Sequence, residues 1–280
     1  MPQIQINPRL RLYYLEYNPG GKASVLLLHG LGATGASWQQ QVPELVQSGF
    51  HVLAPDTRGF GQSSYPGGSL SVADMASDFA ALLEATHTVS AHVVGISMGG
   101  AQALQLALDY PQRVNRLVLV NTFARLRPNR LGGWLYFALR FALVHTLGLE
   151  SQGKAVVKRI FPRPEQEELR QELLTEILQA DPHGYRAAMR ALGRFNVVGR
   201  LGEIRAPTLV ITSENDTTVD RQNQRVLAEK IPGARQVVIP DAGHAVSVDQ
   251  PETFNQVLIS FLKNNARQGL EEPAIPEKHS

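Results

Sequence analysis

Apolar residues in this chain recur in two rhythms. Six short segments, 25–28, 52–54, 92–95, 117–120, 208–212 and 236–239, are dominated by unbroken apolar runs. Such runs, rather than alternating ones, are what parallel strands covered on both faces require. Between them lie stretches with helical spacing at 74–84, with Ser71 as N-cap, at 101–108 and at 221–231. Repetition of strand, helix and strand predicts a mostly parallel α/β sheet. Before Gly20 the pattern alternates instead, so 4–6 and 10–17 read as an antiparallel hairpin on the sheet's edge.

The rhythm breaks after Asn121. From 122 to about 200 only helical patterns appear, at 165–179 and 184–195, and strand character resumes at Thr208. The expected organisation is an α/β core of 1–121 and 201–265, a helical insertion of 122–200, and a polar, proline-broken tail at 266–280. Charge follows the same partition. The insertion holds 13 Lys and Arg against 7 Asp and Glu, a surplus of 6 in a chain whose net charge is only +2. That small total gives no reason to expect a nucleic-acid partner, and 280 residues at 43% hydrophobic composition fit one or two globular domains. With no cysteine, disulfides, thiolate metal sites and a cysteine nucleophile are excluded. The most apolar stretch, 131–149, is interrupted by Arg140 and His145, which a membrane span would bury at high cost. No basic region followed by an apolar core opens the chain, so a cytoplasmic protein without stable membrane insertion is expected.

One pentapeptide carries chemistry. Gly95-Ile96-Ser97-Met98-Gly99 matches G-x-S-x-G, a pattern that is weak alone. Its context is informative: a strand enters through 92–94 and a helix leaves through 101–104. A sharp turn there lifts the Ser97 hydroxyl to the carboxyl end of the sheet, with a helix N-terminus beneath any oxyanion that forms. A serine hydroxyl needs a base. Of the eight histidines, His244 is the one best placed at the carboxyl end of a strand after the nucleophile. An acid must orient that imidazole. Asp216 follows the strand at 208–212, with Glu214 and Asp220 as competitors, and loop position favours Asp216. The chain order Ser97, Asp216, His244 then suits this motif.

With these residues the chain resembles the α/β-hydrolases of the carboxylesterase, enol-lactonase and haloperoxidase-like group, over about 22–264. The resemblance implies a mostly parallel eight-stranded sheet flanked by helices, with the insertion as a helical cap. His29-Gly30-Leu31-Gly32 resembles the family's H-G segment. By that resemblance the backbone N–H groups of Leu31 and Met98 form the oxyanion hole, and 56–63 is a structural turn. Family members that displace halide or open epoxides need a carboxylate at position 97, so the serine argues against those reactions.

The function expected is hydrolysis of a small-molecule ester or lactone through an acyl-enzyme, without metal or organic cofactor. Carbon–carbon hydrolysis of a diketone and cofactor-free perhydrolysis are the alternatives. A non-catalytic receptor is disfavoured because no triad member is missing. Trp38, Trp134 and Phe137 are candidate substrate-binding residues, although aromatic side chains in a cap more often serve its packing. The positive charge of the insertion motivates an expected preference for anionic acyl groups.

Overall fold

The computed structural model describes residues 2–126 and 131–263. In chain order the strands are β1 (Gln3–Asn7), β2 (Leu10–Tyr17), β3 (Ala23–Leu28), β4 (Phe50–Pro55), β5 (Ala91–Ile96), β6 (Val114–Val120), β7 (Thr208–Ser213) and β8 (Arg235–Ile239). They form one sheet ordered β1-β2-β4-β3-β5-β6-β7-β8. The β1–β2 and β2–β4 pairings are antiparallel and the others parallel, so the hairpin expected from the alternating N-terminal pattern does lie on the edge.

The helices are α1 (Val42–Gln47), α2 (Val72–Ala85), α3 (Met98–Asp109), α4 (Leu131–Thr146), α5 (Gly148–Ile160), α6 (Glu167–Gln179), α7 (Pro182–Arg194), α8 (Arg221–Lys230), α9 (Val246–Asp249) and α10 (Pro251–Lys263). Ser71 caps α2 reciprocally: its Oγ accepts the Asp74 N–H at 3.1 Å, and its own N–H donates to the Asp74 carboxylate at 2.8 Å. Among the described residues no helix is long and apolar enough to cross a membrane.

The central strands are apolar throughout because each feeds two cores. Leu26, Leu28, Val93, Leu117 and Leu119 pack on the α2 and α3 side, whereas Val25, Leu27, Val94, Val118 and Val120 pack on the α1 and α10 side. Chain order reverses around β3, with β4 on one flank and β5 on the other. In open α/β sheets the crevice at the carboxyl ends beside such a reversal is where ligands bind. The segments leaving β3 and β5 there are the His29-Gly30 loop and Ser97.

Helices α4–α7 fall between β6 and β7. At their base Arg125 and Asn196 form an antiparallel bridge, and the Val197 N–H donates to Ala124 O at 2.9 Å. The apolar stretch at 131–149 is not one helix. Gly148, at φ 80°, divides α4 from α5, and α5 is too rich in polar residues for apolar periodicity alone to find it.

Candidate active site

Strand β5 ends at Ile96 and α3 begins at Met98, leaving Ser97 to turn the chain alone. Its backbone stands at φ 54° and ψ −112°, a conformation that costs a residue bearing a Cβ about 1–3 kcal/mol. Neighbours hold it there. The Ser97 N–H donates to Val120 O at 3.0 Å, and Ser97 O accepts from the Ala101 N–H at 3.2 Å and from Thr122 Oγ1 at 2.6 Å. The flanking glycines answer a different need, close approach. A Cβ on Gly95 would stand 2.2 Å from Gly99 O, and one on Gly99 2.0 Å from Leu28 O.

His244 follows β8 and is 5% exposed. Its Nδ1 lies 3.0 Å from each carboxylate oxygen of Asp216, whose side chain is wholly buried. That contact assigns the proton to Nδ1 and leaves Nε2 as the basic nitrogen. Asp216 is itself clamped: Oδ1 accepts the Thr218 and Val219 N–H groups at 2.8 and 3.0 Å, and Oδ2 accepts from Gln224 Nε2 at 3.3 Å. The competing carboxylates have other work. Glu214 accepts the Asp241 N–H at 3.1 Å, and Asp220 caps α8 through the Gln222 N–H at 2.8 Å.

The loop after β3 runs close beside Ser97. A Cβ on Gly30 would stand 3.7 Å from Ser97 Cβ. Met98 is the first residue of α3, so its N–H has no partner within that helix. The His29 side chain has a role that the sequence pattern did not reveal. Its Nδ1–H donates to Gly30 O at 2.8 Å, and its Nε2 accepts the Thr57 N–H at 2.9 Å. Burial lowers the imidazole pKa, which keeps the ring neutral and able to accept that bond. Asp56, assigned to a turn, accepts the Gly35 and Gln62 N–H groups at 2.8 Å each.

Ser97, His244 and Leu31 line one cavity of about 590 Å³, whose far wall includes Arg140, Val156 and Glu176 from α4, α5 and α6. Thr34 Oγ1 donates to Glu176 Oε1 at 2.8 Å. Burial pushes the Glu176 pKa up to about 7 against that hydrogen bond, with the nearby Asp56 charge adding to the rise. Nothing in the helical pattern singled out Glu176, because a glutamate on an amphipathic helix reads as a solvated position.

Around the cavity the charges of the insertion are mixed: Arg140 lines it together with Glu168, Glu172 and Glu176 of α6. Of the other arginines, Arg163 pairs with Asp249, Arg170 with Glu167 and Arg200 with Asp109. One expectation changes here. Trp38 is reassigned. It is 1% exposed and packs on Phe254, at a ring-centroid distance of 6.3 Å, in the core beneath the sheet. Its large apolar ring gains more from that burial than from a cavity wall. The side chains of Trp134 and Phe137 lie outside the described residues.

Comparison with known proteins agrees with this architecture. A family model described as alpha/beta hydrolase fold matches residues 23–251. A protein of Variovorax paradoxus (strain S110), named as the carbamate hydrolase RutD, is 36% identical over 265 residues, 92% of this chain and 98% of that protein. The 3-oxoadipate enol-lactonase 2 of Acinetobacter baylyi is 29% identical over 255 residues, covering 90% and 93% of the two chains. The crystal structure of the enol-lactonase from Burkholderia xenovorans LB400 superposes with a TM-score of 0.86 at 27% identity, covering 94% of this chain and all of that one.

Proposed function

Because the chain belongs to the α/β hydrolase fold family, we propose that it is a serine hydrolase in which Ser97, His244 and Asp216 cleave a small carboxylic ester or lactone. One observation carries this reading. The Asp216 carboxylate meets His244 Nδ1 at 3.0 Å, while His244 and a serine held at φ 54° border the same cavity. An imidazole oriented by a buried carboxylate, bordering the same cavity as a turn hydroxyl, is the minimum set for nucleophilic acyl transfer.

The reaction runs in two halves. His244 Nε2 takes the Ser97 proton as Oγ attacks the carbonyl carbon. The carbonyl oxygen, now an oxyanion, accepts from the N–H groups of Leu31 and Met98, each such donor being worth roughly 10²–10³ in turnover. The intermediate collapses as His244 returns the proton to the departing alcohol. Water then repeats the sequence on the acyl-enzyme, releasing the acid and restoring Ser97. We read residues 122–200 as a cap that closes the cavity over the acyl group.

Carbamate hydrolysis is the second reading. The 36% identity to the RutD protein over nearly the whole chain favours it. The same nucleophile and oxyanion donors act on a carbamate carbonyl, so the two readings differ in what the carbonyl carries: a carbon substituent in an ester or lactone, a nitrogen in a carbamate. The test is hydrolysis of matched p-nitrophenyl esters, lactones and carbamates, together with labelling by a fluorophosphonate probe. Labelling and turnover that both vanish in Ser97→Ala are expected; activity that survives in Ser97→Ala overturns the proposal.

A further inference from the structure

Asn121 and Thr122 follow the last residue of β6 and touch both halves of the site. Asn121 is fully buried with φ 44°, a left-handed conformation that asparagine tolerates better than most residues. Its own N–H extends the sheet ladder to Ile211 O at 3.0 Å. Its side-chain amide is fully engaged. Oδ1 accepts the Ser213 N–H at 2.9 Å, while Nδ2 donates to Ser213 Oγ at 2.7 Å and to His244 O at 2.8 Å, with Gly243 O at 3.3 Å. One amide thus joins the start of the segment that leads to Asp216 with the backbone of His244 itself. The adjacent Thr122 makes the complementary contact, donating from Oγ1 to Ser97 O at 2.6 Å. Gly100 leaves room for it, since a Cβ there would meet the Thr122 side chain at 2.5 Å.

We infer that Asn121 and Thr122 together form a positioning element that sets where His244 stands relative to Ser97; the inference rests on the triad proposed above. Neither side chain touches substrate. Their effect passes through two backbone carbonyls, those of His244 and Ser97, anchored by consecutive residues of one rigid strand end. The chemistry of the position explains the residue type. A carboxylate at 121 has no donor for the oxygens of Ser213 and His244, and an aliphatic side chain leaves all of them unanswered. An amide supplies two donors and one acceptor in one plane, which is what the surrounding groups require. Thr122 likewise needs its hydroxyl, whereas its methyl group only packs.

The test compares Asn121→Ala, Thr122→Val and Thr122→Ser in the full chain. Steady-state turnover of a p-nitrophenyl ester, the thermal midpoint, and the low-field proton resonance of the His244 Nδ1–H are measured for each. Thr122→Val keeps the shape of the side chain and removes only the hydroxyl, so it remains informative if Asn121→Ala does not fold. We expect kcat to fall roughly 10–100-fold with KM nearly unchanged in Asn121→Ala and Thr122→Val, as for reacting groups displaced by a fraction of an ångström. Thr122→Ser should recover most of the activity, and the His244 resonance should move in Asn121→Ala. The inference is overturned if Thr122→Val keeps kcat within about twofold of the parent, or if Asn121→Ala folds and its His244 resonance is unmoved. A parent protein that hydrolyses no ester and takes no fluorophosphonate label would count against the hydrolase reading instead, and the His244 resonance would still decide the positioning role.

Discussion

Thr34 and Glu176 are joined by a hydrogen bond of 2.8 Å between side chains 142 positions apart in sequence. Through it the segment after β3 and helix α6 meet at the cavity wall. The bond holds a carboxyl group where burial opposes its ionisation.

A pH effect on stability follows. The unfolded glutamate ionises near 4.5, whereas in the folded protein the group ionises at about 7. Between those values unfolding releases a proton. The stabilisation from keeping Glu176 protonated is therefore complete below about 4.5 and is lost as pH rises towards 7. Glu176→Gln stays neutral at every pH and can still accept from Thr34. It should stabilise the protein by roughly 1–3 kcal/mol at pH 8 and by almost nothing at pH 4, as measured by urea unfolding. Equal effects at both pH values would contradict the shifted ionisation.

Asp216→Asn should keep the fold and lose the chemistry. The amide oxygen can still accept from Thr218 and Val219, so the loop remains seated. Its NH₂ group, however, faces His244 Nδ1 and moves the ring proton to Nε2, which removes the base. A fall in kcat of about 10⁴, with little change in thermal midpoint, is expected from steady-state kinetics and calorimetry.

Trp38→Phe tests the reassignment of that side chain. A residue buried against Phe254 should matter for folding: the smaller ring is expected to cost about 1–3 kcal/mol in chemical denaturation while KM stays unchanged. A raised KM with unchanged stability would return Trp38 to the cavity wall.

Gly32 marks the pressure of α6 on the loop after β3. It stands at φ 91°, and a Cβ there would lie 2.6 Å from Ile177 Cγ1. Gly32→Ala combines backbone strain with a clash and should destabilise by about 1–3 kcal/mol. Adding Ile177→Ala removes the clash but not the strain. The double variant should thus be more stable than the sum of the two single losses predicts, a difference readable in a double-mutant cycle.

Much of the molecule was legible before any coordinates. Unbroken apolar runs identified β3 to β7 because burial on both faces leaves no polar position to alternate; the run at 236–239 also identified β8, although that strand lies on the sheet's edge and its burial alternates. The alternating N-terminal segment identified the edge hairpin for the converse reason. Ser97, Asp216 and His244 could be picked out because each stands on a connection just past a strand, where side chains are free to serve chemistry. Helices α1, α5 and α9 escaped notice, being too short or too polar for apolar spacing to register.

What tertiary structure alone decided is everything that depends on which side of an element faces which neighbour. Charge counted along 122–200 is positive, yet folding brings Arg140 and Glu176 to the same cavity, where burial changes the ionisation of Glu176. Trp38 looked like a pocket residue until packing placed it beneath the sheet. Asn121 has no charge to offer as a triad acid. Its worth lies in hydrogen bonds to residues 92 and 123 positions away. Sequence by itself determined the order of strands, turns and reactive side chains, since local pattern and spacing are written along the chain. The contacts that orient those side chains were decided in three dimensions, because they join groups that only the closed sheet brings together.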